Sequence, residues 1–179
     1  MAPLPLLQRP LDGLLVAFFA LHIPITVFLD SQSVVPRKFF PKVALDLIAY
    51  HVQELKDPLV ATNPPWFVAL VWCELCIQLP FFFVLCYGLA LGRRWLRIPA
   101  IMYGVHTCTT MAPILYELAF GPHKLLATSQ DRAVILCVYL PWLVFPAVLT
   151  ARMAASEDPF GEGKSQRKTL LQGQGKKLS

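Results

Sequence analysis

The residues of this chain that could do chemistry are few, and they fall into stripes. His22, Thr26 and Asp30 stand at i, i+4 and i+8, so one helix face would carry an imidazole, a hydroxyl and a carboxylate in line. Glu74 and Gln78 share a face at i, i+4. Tyr103, His106 and Thr110 share another at i, i+3 and i+7, and Tyr139 and Trp142 a fourth at i, i+3. Turned inward together, the four stripes would line one cavity, with acids toward the lumenal end and aromatic rings below them. Carboxylates hold a cation by charge, and aromatic faces favour an organic ammonium. The arrangement suits a flat apolar ligand bearing a cation or a hydroxyl at one end, such as a sterol or a cationic amphiphile. Plainer roles compete at each position. Asp30 reads equally as the interfacial end of a helix, and Glu74 as a protonated structural acid. His106 and Thr110 read as helix-to-helix hydrogen-bond partners, and Tyr139 and Trp142 as packing.

The helices that must hold these residues are membrane helices. Hydrophobic residues make up 56% and charged residues 15% of the 179 positions, whereas soluble domains carry about a quarter charged. The apolar residues bunch into four runs, 11–29, 66–91, 98–120 and 133–151, each close to the roughly 20 residues that cross a hydrocarbon core. They do not alternate as barrel strands do. The expected fold is an all-α membrane protein: a four-transmembrane-helix bundle with kinked helices and a short lumenal amphipathic helix. The kinks come from Pro24, Pro80, Pro99, Pro113, Pro141 and Pro146, which free backbone carbonyls and bow the helices apart. An ionisable group in such a span costs about 2.5–3.5 kcal/mol on insertion. Glu74, eight residues into its run, would lie roughly 12 Å deep.

Orientation follows from the basic residues. Placing Arg93, Arg94 and Arg97 in the cytosol puts Arg9, Arg152, Lys164, Arg167, Lys168, Lys176 and Lys177 there as well. That is 10 against 6 on the other side: Arg37, Lys38, Lys42, Lys56, Lys124 and Arg132. The expected organisation is a cytosolic N-terminus at 1–10, a membrane domain at 11–155 with a lumenal loop at 31–65, and a disordered basic cytosolic tail at 156–179. The first run is too long, and too often interrupted by His22, Pro24 and Thr26, for a cleaved signal peptide. The net charge of +5 suits anionic headgroups, not nucleic acid. Within the lumenal loop, Val43, Leu47, Ile48, His51 and Leu55 fall at helical spacing for a short helix lying over the bundle, ended by Asp57-Pro58. Glu117, near the lumenal end of its run, reads as solvated. All five cysteines lie within the runs, and Cys73-x-x-Cys76 has no second pair, so no disulfide, metal or cofactor is expected. Lys176 and Lys177 stand fourth and third from the end, a dilysine pattern that returns membrane proteins to the endoplasmic reticulum.

Several stretches in order are more specific: HIPIT-x-F-x-D (His22 to Asp30), KDPL (Lys56 to Leu59), and a Pro-Pro, Trp-Phe stretch ending at Phe67. They continue with CEL-x-x-QLPFF (Cys73 to Phe82), R-x-PAI-x-Y-x-VHT-x-TT (Arg97 to Thr110) and VY-x-P (Val138 to Pro141). From about Leu14 to Ala151 the chain resembles the sigma-2 receptor family, EXPERA-domain membrane proteins related to the emopamil-binding sterol isomerase. The resemblance implies a homodimeric receptor of the endoplasmic reticulum membrane, with the nuclear envelope as a further location. It would bind sterols and cationic amphiphiles, act in cholesterol homeostasis, and handle the Niemann–Pick type C cholesterol exporter. It implies that Asp30 pairs with a ligand amine, with Glu74 buried beside it, and that Asp57 is a second acid that holds the lumenal cap. It also implies that His22, Gln78, Tyr103, Thr110 and Tyr139 line the pocket. Trp142 stands where the family commonly has a tyrosine, which alters that wall. The competing reading is an isomerase-like enzyme in which His22, Glu74 and His106 carry protons.

Overall fold

In the computed structural model, which describes residues 3–161, six helices follow one another. They are α1 (Pro10–Phe28), α2 (Lys42–Gln53), α3 (Pro58–Thr62), α4 (Pro65–Leu91), α5 (Arg97–Phe120) and α6 (Ser129–Ala154). Short 3-10 turns fill the connections, and no strand occurs among the described residues.

The helix ends have local causes. Pro10, Pro58 and Pro65 open α1, α3 and α4, where a missing N–H costs nothing because the first turn cannot use it. Thr128 and Asp131 close a capping box at α6: the Asp131 N–H donates to Thr128 Oγ1 at 3.1 Å and the Thr128 N–H to Asp131 Oδ2 at 3.3 Å. α4 stops at Gly92, whose φ of +63° only glycine adopts cheaply. The Arg93 N–H then reaches Gly88 O at 2.9 Å and caps the last turn. Inside α4 the residues Glu74–Gln78 form one π turn, with the Leu79 N–H bonded to Glu74 O, just before Pro80.

α1 runs antiparallel to α4, and α5 to α6. α1 buries Asp12, Leu15, Phe19, His22 and Thr26 along one stripe and turns Leu14, Leu21 and Phe28 outward. Large apolar side chains also cover the outer faces of α4 (Trp72, Ile77, Phe83) and α5 (Met102, Tyr116, Phe120). So broad an apolar exterior matches hydrocarbon, not water. Pro10–Ser33, Pro65–Leu91 and Ser129–Ala154 are long and apolar enough to cross a membrane, with mean hydropathies of 2.0, 2.1 and 2.2. α5 is as long but falls short of that apolarity, since it holds Arg97, His106, Glu117 and three threonines. The protein is an all-α membrane protein.

Lipid is as apolar as leucine, so close packing decides how such helices associate. Two cores result. One, toward the chain ends, joins Leu15, Phe19, Phe82, Leu85, Leu149 and Met153; the other, toward α2, joins Leu59, Phe67, Val71, Ile114, Leu118 and Ile135. At Gly104 a Cβ would strike Thr150 Oγ1 and come within 2.8 Å of Pro146 O, so α5 and α6 touch nearly backbone to backbone.

Four expectations change. α2 presses Ala44 and Ile48 onto the bundle, while Val43 and Leu47 face outward, because the bond from His51 to Asp57 sets the rotation of the helix. Glu117 is not merely solvated but pairs with His123 at 2.9 Å. The tail does not loosen at residue 156. Phe160 is buried beneath the guanidinium groups of Arg9 and Arg152, 5.2 and 5.9 Å from its ring centre, and Pro159 O accepts from Arg152. Arg9 also leaves the surface: it bonds Asp12 at 2.7 Å and the carbonyls of Leu89 and Ala90, while Arg152 reaches Asp12 at 3.2 Å. Lys176 and Lys177 lie outside the described residues.

Candidate functional site

A cavity of about 260 Å³ opens between the helix pairs, where the two cores part. Each long helix supplies a deepest lining residue on the chain-end side: His22 from α1, Gln78 from α4, Thr107 from α5 and Trp142 from α6. Above them, toward α2, the walls are apolar, with Phe67, Leu70, Val71, Met111, Ile114 and Val138. Ile48 and His51 of α2 close the top.

The acids stand just above the floor of the cavity, Glu74 one turn toward α2 from Gln78 and Asp30 beyond the end of α1. α1 ends at Phe28, and Asp30 begins a 3-10 turn (Asp30–Ser33), so its carboxylate reaches back into the bundle instead of extending the stripe. Ligand atoms of His22, Asp30 and Glu74 all lie within 4.8 Å of one another. An ammonium can bridge such a spacing by hydrogen bonds, and a divalent cation by coordination. Thr26 Oγ1 donates to Glu74 Oε1 at 2.8 Å, and His22 Nε2 lies 3.3 Å from the same oxygen. The His22 ring is held between Phe82 and Trp142, stacked at centroid distances of 4.4 and 4.5 Å. Two carboxylates this close repel each other, so the base of the cavity favours a cation between them.

Asp57 forms the roof. Its Oδ1 caps α3 by accepting from the N–H groups of Leu59 at 2.8 Å and Val60 at 3.1 Å. Its Oδ2 accepts from Tyr139 Oη at 2.6 Å and meets His51 Nε2 at 2.7 Å. Burial pushes the Asp57 carboxyl up, but the bonds from His51, Tyr139 and the Val60 N–H outweigh it and hold the group below the ordinary carboxylate range. One buried side chain thus ties α2, α3 and α6 together over the cavity. Lys56 adds a clamp, with Nζ 2.7 Å from Asp131 Oδ1.

Of the residues singled out in the sequence, His22, Asp30, Glu74, Gln78, Thr110, Tyr139 and Trp142 all line the cavity. Tyr103 does not. It lies beneath the floor against Phe19, Phe81 and Phe82, because spacing along α5 fixes its face and not its depth. His106 is also outside the lining. Thr107 and His51 line the cavity without having been singled out as site residues. Thr107 shares a face with Tyr103 at i, i+4, and that spacing could have found it.

Comparison with known proteins places this geometry among relatives. A family model described as EXPERA (EXPanded EBP superfamily) matches residues 43–153. Sigma intracellular receptor 2 of Homo sapiens is 37% identical over 173 residues, covering 92% of this chain and 97% of that protein. The receptor of the same description from Xenopus tropicalis is 38% identical over 89% of this chain and 97% of its own length. Efficient mitochondria targeting-associated protein 19 of Saccharomyces cerevisiae is 30% identical, covering 72% of this chain and 88% of that protein.

Proposed function

The chain belongs to the EXPERA family, and we propose from that premise that it is an intracellular membrane receptor whose cavity binds sterols, oxysterols and cationic amphiphilic ligands, regulating cholesterol homeostasis and trafficking. One observation carries the reading: Asp30 and Glu74 converge beside His22 at the polar base of a cavity whose walls toward α2 are largely apolar. An amine set there exchanges water for a charge-assisted bond to a carboxylate, while its hydrocarbon body fills the walls toward α2. Asp57 acts on binding indirectly, by holding the roof.

The receptor has four transmembrane helices with both termini in the cytosol. α5 is the fourth span, kept by its packing along α6 despite its polar residues, and Arg9, Arg93, Arg94, Arg97 and Arg152 gather at one end of the bundle. Residence in the endoplasmic reticulum membrane and nuclear envelope, homodimer formation and handling of the Niemann–Pick type C cholesterol exporter follow from the resemblance to the sigma-2 receptor family. The direct test is Asp30→Asn. Loss of a charge-assisted bond of about 1.5–3 kcal/mol weakens a tertiary-amine amphiphile roughly 10- to 100-fold. Affinity within threefold of the native chain refutes the assignment.

A second reading rests on the His22–Glu74 contact at 3.3 Å, an acid–base pair on the cavity wall suited to moving a proton on a sterol ring. Expression in sterol-isomerase-deficient cells, with sterol profiling, separates the two: an enzyme restores the missing product, and a receptor leaves the profile unchanged.

A further inference from the structure

We infer that His51 makes the roof of the cavity a second point of recognition, accepting a hydrogen bond from a hydroxyl carried at the end of the ligand opposite its amine; this deepens the ligand-binding reading above and rests on it. The cavity is polar at both ends and apolar between them. His22, Asp30 and Glu74 gather toward one end and His51 closes the other, with Val71, Met111 and Ile114 along the walls. The roof holds three polar side chains, and two of them are fully engaged. Asp57 is buried, and its oxygens already accept from the N–H groups of Leu59 and Val60, from the Tyr139 hydroxyl and from His51. Tyr139 is buried too and gives its one proton to Asp57 Oδ2 at 2.6 Å. His51 is different. Its side chain keeps 24% of its surface exposed and lines the cavity. Its Nε2 meets Asp57 Oδ2 at 2.7 Å. Nδ1 has no hydrogen bond among the described residues, yet it is not sealed away as Nδ1 of His22 is.

The engaged nitrogen sets the chemistry of the free one. Asp57 is held below the ordinary carboxylate range, so near neutral pH it is ionised and can only accept. Nε2 then carries the proton, and the neutral ring presents Nδ1 as an acceptor. Asp57 is itself fixed by the start of α3 and by Tyr139, so the ring it holds keeps one orientation. An alcohol O–H suits such an acceptor. An ether oxygen, which has no proton to give, does not. The two ends of the cavity therefore do different work: Asp30 and Glu74 hold the amine, and His51 fixes which way the hydrocarbon body between them points. The class this favours is an amphiphile with an amine at one end and an alcohol at the other.

The test uses the full chain in nanodiscs with three tertiary-amine amphiphiles that share one hydrocarbon body and differ at the far end: a methyl group, a hydroxyl, or the methyl ether of that hydroxyl. The native chain is expected to bind the hydroxyl probe about fivefold more tightly than the ether. His51→Phe, which keeps a flat ring without nitrogen, should bring the two affinities within about twofold of each other. His51→Gln, whose amide can donate to Asp57 and still offer its carbonyl, should keep a preference of about threefold. Each ratio is read within one variant, so a loosened roof that weakens every probe alike leaves it unchanged, and the native ratio decides wherever a variant binds no probe. Equal affinity of the native chain for hydroxyl and ether, tighter binding of the ether, or a native preference that survives in His51→Phe overturns the inference. Asp30→Asn, read on the methyl-ended amine, judges the receptor reading separately, and a native chain that does not bind that amine overturns both.

Discussion

Replacing Asp57 with alanine should be the most damaging single change outside the spans. The side chain is fully buried and serves four donors: two N–H groups at the start of α3, the Tyr139 hydroxyl and His51. Loss of a helix cap costs about 0.5–2 kcal/mol, and a buried donor such as Tyr139 Oη left unmatched costs about 1–3 kcal/mol. Together they amount to roughly 1.5–5 kcal/mol, which for a chain of this size lowers the thermal midpoint by on the order of 10 °C. Asp57→Asn should fall between native and alanine, because its carbonyl can still cap α3 while its amide meets two donors. The assay is thermal unfolding in detergent micelles, with hydrogen exchange over 42–62 as the local readout. The pH dependence has a definite sign. Asp57 is held below its unfolded value, so its contribution is fully present above about pH 3.9 and is lost as pH falls through the depressed folded value. Stability from this source is therefore flat through the neutral range. A drop below 2 °C for Asp57→Ala, with α2 still protected from exchange, would refute the claim that this carboxylate holds the roof.

Other outcomes follow from the same geometry. Asp12→Asn leaves Arg9 and Arg152 near each other without their counter-charge and should destabilise by roughly 3–5 kcal/mol, read as a thermal midpoint; a loss under 1 kcal/mol refutes it. Gly104→Ala should cost about 1–3 kcal/mol, because the methyl meets Pro146 O and Thr150, whereas Gly88→Ala should cost less, because there it meets only the movable end of Leu96. The reverse order of midpoints would show that α5 and α6 are not the tighter pair. Changing Lys176 and Lys177 together to serine should move the protein toward post-Golgi membranes, scored by microscopy, with ligand affinity unchanged. Continued residence in the endoplasmic reticulum would place the address elsewhere.

Much of the long-helix framework was legible because runs of apolar residues need no tertiary information to be recognised. Which face of each helix turned inward was harder to read. In a membrane protein the outer face is as apolar as the core, so Val43 and Leu47 looked like packing residues, whereas Ala44 and Ile48 do the packing. Polar stripes were better guides, since a buried His22 or Glu74 has few other places to go. They gave direction without depth, and Tyr103 was set one layer too high. Arg9 and Arg152 counted as votes for orientation, yet both end in a buried cluster with Asp12, a pairing across 140 positions that no local pattern announces. The Asp57-Pro58 pair announced a helix boundary correctly. That the same carboxylate bonds Tyr139 depends on α6 arriving beside it.

The register that the π turn at Glu74–Gln78 sets between the halves of α4 makes the binding site separable from membrane insertion. Each residue of an α-helix advances the chain by about 100° around the axis. The π turn absorbs one extra residue, so removing one there would leave the halves in nearly their present register, whereas removing Trp72 from the ordinary turns would swing the first half, with Phe67 and Val71, by about that angle against the half that packs on α1. Without Trp72 the length and apolarity of α4 would hardly change, so the shortened span would still enter the bilayer. A selection scored on expression and targeting would pass this deletion as silent, while one scored on occupancy would reject it. Chains of this kind can therefore be normally made and delivered while empty of function.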